Sequence, residues 1–309
     1  MGFPEWFQEL AKKVSNKGRW GEADELGTLN LITPEATLRG VGTVKRGESF
    51  SLAIPLDREG PQTGRIPNRI NPLHSMIGIN TPFTGDPDKT CLSDDIISMG
   101  TQAATHWDAL SHGSYAGTMY NDHPSAMIRA ETGAMVCGIE KVKTLVTRGI
   151  LLDLARFKGR ERLEPGLVIT PELLEDCLQS TGLTIESGDV LLVRTGHITN
   201  LDIGDRDAYR VPAPGFGVQS TLWFKEKNLA AVANDTIAFE VWPGEDPATL
   251  FPVHMLNLVD AGLTQGQNWQ LEQLAEDCAK DGVYEFLLSA TPEPIVGGTG
   301  APVNPVATK

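Results

Sequence analysis

Two histidines and an aspartate lie close together in one short segment, residues 102–112, with the sequence QAATHWDALSH. In an extended strand, side chains two residues apart lie on the same face, about 6.6 Å from one another. His106 and Asp108 can therefore converge on one metal ion, as an imidazole and a carboxylate ligand. Gln102 has the same parity but would lie about 13 Å from His106 on a flat strand. It could reach that ion only if the backbone turned sharply, which the small residues at 103–104 allow.

His112 follows Asp108 by four residues, beyond a turn expected at 109–111. In that position it could face the same site and act as an acid or base instead of a ligand. A His-x-Asp pair also occurs often by chance. The spacing alone therefore leaves open both a metal site and a chance occurrence.

The elements that would position this segment are predicted from residue patterns. Thr170-Pro171-Glu172 starts a helix and Gly182 ends it, because Thr caps, Pro suits the first helical position and Gly suits the C-terminus. Alternation of strands and helices in the second half of the chain predicts an α/β protein. Further helices are predicted at 5–14, 218–227 and 269–282, and strands at 48–56, 149–157, 188–195, 229–232 and 284–289.

Neither an internal repeat nor a clear linker divides the chain. We therefore predict an N-terminal helical arm of residues 1–45, followed by a single domain of residues 46–309. Residues 57–95 are rich in Gly, Pro and Asn and are predicted to form a long ordered loop region with room for a hairpin. Loops of that length in a compact domain are usually functional or disordered.

Charge excludes several classes of partner. The 309 residues contain 26 Lys and Arg against 40 Asp and Glu, giving a formal net charge of −14. An acidic chain without a basic stripe is unsuited to nucleic acid or to an anionic membrane surface. We find no signal peptide or membrane span, and the four cysteines form no CxxC pair. We expect a cytoplasmic protein with reduced thiols that acts on a small molecule.

The segment at 102–112 resembles the HxGTHxDxPxH signature of the metal-dependent cyclase family, which includes bacterial kynurenine formamidases and isatin hydrolases. The similarity continues, in order, along nearly the whole chain, so the chain is identified as a member of this family. The resemblance implies a swivelling β/β/α architecture with a mixed sheet or flattened barrel. The other matching segments are 20–35 (WGEADELGTLNLITPE), 188–196 (GDVLLVRTG), His254, 266–275 and 294–302.

Residue by residue, the resemblance implies a role for each polar position. His106 and Asp108 match a histidine and an aspartate that bind metal, and His112 matches the histidine thought to transfer protons. Gln102 stands where the first metal-binding histidine belongs. His254 and Gln267 match a histidine and a glutamate that help to hold a second zinc in the formamidases.

Gln102 and Gln267 are departures from the formamidase pattern. An amide oxygen is a weaker ligand than an imidazole, and the combined site loses one imidazole and one charge. Isatin hydrolases resemble this sequence in having Gln at the second position, and they use a single manganese ion. We therefore expect at most one divalent ion, Mn or Zn, weakly held by His106 and Asp108 with the two glutamines.

The implied reaction is hydrolysis by a metal-activated water. His112 would take a proton from that water and return it to the leaving nitrogen or oxygen, with His254 as a second catalytic residue. The substrate would be a small cyclic amide or lactone, or an N-acyl compound of the formamide type. Trp107 and Tyr115 are candidates to contact a flat substrate, although such side chains more often pack in cores.

Two alternatives remain open. The weak donors Gln102 and Gln267 also fit a small-molecule binding protein on a degenerate hydrolase scaffold. His112 and His254 also fit an acid/base lyase or cyclase that depends little on metal. In each case the resemblance implies a homodimer or homotetramer, with the N-terminal arm contributing to a neighbouring subunit.

Overall fold

The apolar runs in the second half of the chain become the centre of a large sheet. The computed structural model describes residues 2–309, and in these residues fifteen strands and nine α-helices occur. A π-helix also spans Met255–Ala261. The strands are β1 (Ser49–Ser51), β2 (Leu73–Pro82), β3 (Cys91–Ser98), β4 (His106–Asp108), β5 (Ile128–Arg129), β6 (Gly133–Ala134), β7 (Val146–Asp153), β8 (Val168–Ile169), β9 (Val190–Arg194), β10 (Gly215–Phe216), β11 (Ala231–Asn234), β12 (Thr264–Gln267), β13 (Glu285–Ser289), β14 (Gly300–Pro302) and β15 (Val306–Thr308). The helices are α1 (Glu5–Val14), α2 (Pro34–Thr43), α3 (Leu154–Phe157), α4 (Pro171–Thr181), α5 (Thr199–Asp202), α6 (Arg206–Arg210), α7 (Ser220–Glu226), α8 (Pro252–His254) and α9 (Glu272–Asp281).

Nine strands form one sheet in the order β1-β15-β13-β7-β9-β11-β12-β4-β14. The central strands β7, β9, β11 and β12 are parallel, and the strands on both sides of them are antiparallel. Successive side chains of β7 enter different cores, since Ile150 and Leu152 pack on one face and Leu151 on the other. Burial on both faces explains the continuous apolar runs at 150–152 in β7 and 190–193 in β9. This single α/β domain with a mixed half-barrel sheet confirms the predicted fold class.

Capping residues in the sequence predict the ends of helix α4 correctly. In α4 the side chain of Thr170 accepts a hydrogen bond from the Leu173 amide, and Gly182 ends the helix in the left-handed conformation with φ 71°. One predicted strand extends too far. Residues 154–157 form α3 instead of continuing β7, because the Asp153 side chain caps the helix by accepting a hydrogen bond from the Arg156 amide.

The N-terminal segment packs on the core of its own chain. Phe7, Leu10 and Val14 of α1 are buried in the same cluster as side chains of β7 and β9. Of the predicted arm 1–45, residue 1 lies outside the described residues. The boundary at residue 45, the contact of the arm with a neighbouring subunit and the homo-oligomeric state stay predictions.

The predicted loop region 57–95 contains a hairpin of β2 and β3, which extends to Ser98. Most of its side chains are exposed, including Ile79 and Phe83 at 70% and 77%. The chain before the hairpin, residues 62–69, lines the cavity described below. The four cysteines are free, and three of them are buried. None of the helices within residues 2–309 is both long and apolar enough to cross a membrane.

The packing of β12 against the buried indoles can be tested at Gly266. A Cβ atom there would lie 2.6 Å from Nε1 of Trp269 and 2.9 Å from Cβ of Ala233. Gly266→Ala should therefore lower the free energy of unfolding by about 1–3 kcal/mol, measured by urea denaturation. Gly42 in α2 is the matched control, since a Cβ atom at that position would have no neighbour within 4 Å. Gly42→Ala should be neutral or stabilising by up to about 1 kcal/mol, and equal losses in both variants would contradict the close packing.

Candidate active site

Two adjacent strands bring the predicted polar residues to one face of the sheet. His106 and Asp108 occupy alternate positions of β4, so their side chains share a face. Because β4 pairs antiparallel with β12, Gln267 lies directly opposite His106. Gln265, two residues earlier on β12, shares that face. All four side chains are buried.

His106 and Asp108 each present an unpartnered atom to the other. Nδ1 of His106 lies 2.7 Å from the carbonyl oxygen of Ala104, and a carbonyl only accepts, so Nδ1 carries the proton and Nε2 has a free lone pair. Oδ2 of Asp108 accepts from Nε2 of Gln267 at 2.7 Å and from Nε2 of Gln265 at 3.2 Å. Nε2 of His106 and Oδ1 of Asp108 are buried, lack hydrogen-bond partners and lie 3.5 Å apart. Two acceptors therefore meet with no donor between them.

This pair fits one divalent ion. Buried acceptors without a donor are costly, and a cation between them would satisfy both. Ligands held about 2.1 Å from one tetrahedral ion are about 3.4 Å from each other, close to the observed separation. Within residues 2–309, no group of three or more His, Cys, Asp or Glu side chains has the arrangement of a metal site.

Gln267, one of the two predicted amide ligands, lies beside this pair and directs its nitrogen towards it, whereas the amide nitrogen of Gln102 lies near His112 and Thr299. The amide nitrogen of Gln267 donates to Asp108. Gln102 accepts a hydrogen bond from Thr101 through Oε1, and its Nε2 lies 3.5 Å from Nδ1 of His112. Rotation of either amide by 180° would exchange its oxygen and nitrogen. Ligation by Gln102 and Gln267 stays a prediction.

His112 lies next to the same carboxylate. The predicted turn is present, with the His112 amide donating to the carbonyl of Ala109 at 2.9 Å. Its Nε2 is 3.8 Å from Oδ1 of Asp108. Burial lowers the pKa of His112, and the positive charges of His254 and Arg69 lower it further, although Asp108 opposes them. His112 is therefore a neutral imidazole near neutral pH.

The ionisation of the Asp108 carboxyl group depends on the imidazoles around it. Burial alone would raise the pKa of this carboxyl group. The positive charges that His112, His106 and His254 carry when protonated outweigh burial and hold the pKa of the Asp108 carboxyl group below its ordinary range. Asp108 therefore remains an ionised carboxylate.

His254 comes from a different part of the fold, at the end of α8. Its Nδ1 lies 2.5 Å from Oε1 of Glu240, which also accepts the backbone amide of His254 at 3.0 Å. Burial alone would lower the pKa of His254, but the hydrogen bond and charge of Glu240 raise it above the ordinary value. The π-helix starts at the next residue, and such segments often occur at functional sites. Sequence reasoning missed Glu240, and the one available signal was an acidic residue within the apolar run IAFEVW.

One cavity of about 660 Å³ joins these groups. His112, His254 and Gln267 line it, and the rings of Trp242 and Phe251 stack on its wall with centroids 5.0 Å apart and planes 10° apart. Neither aromatic residue was predicted from the sequence. The other lining residues are Gln62, Thr63, Arg65, Ile66, Arg69, Arg210, Val211, Ile237, Ala238 and Met255.

Trp107 and Tyr115 do not line this cavity, and contact between either of them and a substrate stays a prediction. Trp107 lies between His106 and Asp108 and must point to the opposite face, where it is fully buried against Trp269. The hydroxyl of Tyr115 donates to both carboxylate oxygens of Asp260, at 2.8 and 2.9 Å. In this structure both aromatic rings pack against other aromatic rings of the same chain.

A second layer of hydrogen bonds holds His106 in place. The Ala104 carbonyl that accepts from His106 also accepts from Nδ2 of Asn268, at 3.0 Å. The Tyr209 hydroxyl in turn donates to Oδ1 of Asn268 at 2.7 Å. The buried carboxylate of Asp235 accepts hydrogen bonds from the Thr195 and Gly196 amides and stabilises that turn.

Comparison with known proteins agrees with this architecture. A crystal structure of a novel cyclase is 40% identical, with a TM-score of 0.87, over 96% of this chain and 100% of that chain. Isatin hydrolase A from Labrenzia aggregata, bound to benzyl benzoate, is 20% identical with a TM-score of 0.63, covering 84% of this chain and 93% of that chain. A protein described as a predicted metal-dependent hydrolase from Bacillus stearothermophilus is 18% identical with a TM-score of 0.53, covering 84% and 97%. At such low identity, the last two share the fold alone.

Searching the curated proteins gave no match. The Cyclase family model matches residues 50–241, a stretch that contains His106, Asp108, His112 and Glu240. The match covers more than half of the chain, and the chain therefore belongs to the cyclase family.

Proposed function

We propose that the protein is a metal-dependent hydrolase that opens a small cyclic amide or lactone, or cleaves an N-acyl bond. One observation carries the proposal. The unpartnered pair of His106 Nε2 and Asp108 Oδ1 lies beside His112. His112 and His254 line the same cavity. The hydrolases among the structures of similar fold support the same reaction class.

His106 and Asp108 would hold a single divalent ion, Mn²⁺ or Zn²⁺, with Gln102 or Gln267 contributing an amide oxygen after rotation. When bound, such an ion polarises a carbonyl group and lowers the pKa of water. The second-layer contact from the Ala104 carbonyl keeps Nε2 of His106 free for this purpose.

The two other histidines divide the proton transfers between them. His112, whose pKa is lowered, takes a proton from the water whose oxygen attacks the carbonyl carbon. As the bond from carbon to nitrogen or oxygen breaks, the leaving atom takes a proton from His254, whose pKa is raised. Groups whose surroundings shift their pKa values in opposite directions suit such an acid and base pair. The products are a carboxylate and an amine or alcohol, and both histidines return to their initial states by exchange with solvent.

A small-molecule binding protein is the second candidate. The observation that favours it is the pairing of Gln265 and Gln267 with Asp108, because their amide groups satisfy Oδ2 without any metal ion. Such a protein would bind flat ligands against Trp242 and Phe251 without turnover.

Hydrolysis and its dependence on metal test the proposal directly. Protein supplied with Mn²⁺ or Zn²⁺ should hydrolyse at least one of isatin, a five-membered lactone and N-formylaniline. EDTA should abolish the activity and the metal should restore it. His106→Ala should be inactive, whereas His74→Ala, which removes an exposed histidine of the hairpin, should retain activity. Binding without turnover would favour the binding protein, and turnover insensitive to EDTA would favour a metal-light lyase or cyclase.

The position of Gln102 predicts the effect of restoring an imidazole. Gln102→His should tighten the binding of Mn²⁺ or Zn²⁺ at least about tenfold, because imidazole is a stronger ligand than an amide. Isothermal titration calorimetry measures this affinity. The gain should disappear when His106→Ala is added. An unchanged affinity would show that residue 102 does not reach the ion.

Glu240 predicts a specific pH effect. An acid catalyst must be protonated, so activity falls as pH rises through the pKa of His254. Glu240→Gln removes the charge that raises this pKa and should move the basic limb of the kcat profile to lower pH. It should also reduce kcat at least about tenfold with little change in KM. Glu226→Gln, on the exposed end of α7, is the control, and an unmoved basic limb would contradict the role of His254.

A further inference from the structure

The cavity wall has a charge opposite to that of the chain. The chain carries a formal net charge of −14. The residues that line the cavity nevertheless include Arg65, Arg69 and Arg210 and no Asp or Glu. Asp108 and Glu240 lie behind this wall, where they are engaged by Gln265 and Gln267 and by His254. A cavity lined by one sign of charge attracts ligands of the other sign.

Arg69 has no close partner for its charge. In the part of the chain that the structure describes, its guanidinium forms no ion pair within 4.0 Å and no side-chain hydrogen bond, and Asp108 is the carboxylate that acts on it from a distance. The side chain is partly buried. Burial lowers the pKa of Arg69, although a guanidinium stays charged at any physiological pH.

Arg210 is similarly uncompensated. Its Nε is buried without a hydrogen-bond partner. Among residues 2–309 its one ion-pair partner within 4.0 Å is Asp207, 3.6 Å away and 89% exposed, and such a surface pair contributes little. Arg210 and Arg69 come from separate segments of the chain, α6 and the segment before the β2–β3 hairpin, and both reach the cavity that contains His112 and His254.

We infer that this cavity selects substrates that carry a carboxylate in addition to the carbonyl group that is hydrolysed. Arg69 and Arg210 bind this carboxylate, because the planar fork of a guanidinium matches the two oxygens of a carboxylate. The stacked rings of Trp242 and Phe251 hold a flat ring between the carboxylate and the reactive histidines. The substrate class is therefore a small aromatic acid with a hydrolysable amide, lactone or N-acyl group. The reaction in this inference rests on the proposed hydrolase function, whereas the binding of the carboxylate does not depend on it.

Binding of benzoate and of its neutral analogue benzamide tests the anion site without any turnover. Isothermal titration calorimetry, with the metal-loaded protein and again after EDTA, should show benzoate binding at least about tenfold more tightly than benzamide. Arg210→Gln and Arg69→Gln should each weaken benzoate binding about tenfold and leave benzamide unchanged. Arg210→Lys should lose part of the affinity, because the charge remains and the fork does not. Arg129→Gln, an exposed arginine outside the cavity, should change neither ligand.

Equal affinity for benzoate and benzamide, or an equal effect of Arg129→Gln and Arg210→Gln, would overturn the inference. Loss of benzoate binding on addition of EDTA would also overturn the inference, because the metal ion would then be the anion site. The matched pair 2-formamidobenzoate and 2-formamidobenzamide separates this inference from the proposed function. Hydrolysis of both at equal kcat/KM, unaffected by Arg210→Gln, would reject the anion site and keep the hydrolase. Selective binding of benzoate with no turnover would reject the hydrolase and keep the anion site.

Discussion

A fully buried carboxylate that must stay ionised is the constraint on which the site depends. Asp108 has no exposed surface, and its position at the end of β4 is fixed by pairing with β12 on one side and β14 on the other. Two amides of β12 satisfy one oxygen, and the other faces imidazoles. A carboxylate in such surroundings is stable only if positive charge is close to it. The protonated imidazole of His254, and a divalent ion when one binds, supply that charge.

Strand periodicity explains which part of this site could be predicted from sequence. The two-residue spacing of His106 and Asp108 predicts a shared face, and the structure has that face. The same rule sends Trp107 to the opposite face, so its role in packing was available from the spacing as well. Helix caps were equally local, as the boundaries of α4 demonstrate. These features depend on residues within a few positions of each other.

The remainder of the site depends on contacts that no local pattern contains. Glu240 meets His254 because residues 237–254 fold back on themselves, and Trp242 reaches Phe251 in the same region. Arg69 and Arg210 are 141 positions apart in the sequence and still line one cavity. The overall composition did not indicate these arginines either, since a strongly acidic chain gives no sign of a cavity lined by positive charge. The family resemblance supplied His254 and Gln267, but not the partners that set their chemistry.

The two halves of the site therefore differ in how rigidly they are held. The half with His106 and Asp108 belongs to the sheet, where strand pairing and the close contact of Gly266 with Trp269 leave little freedom. The half with Trp242, Phe251 and His254 belongs to irregular segments and the short helix α8. There the buried carboxylate of Glu240 takes the place of a strand partner, because it accepts hydrogen bonds from the backbone amide and the ring of His254. Sites on regular elements are positioned more precisely than sites on loops. Differences in substrate within this fold are thus expected to arise from the loop half, with the residues around Asp108 serving the same chemistry throughout.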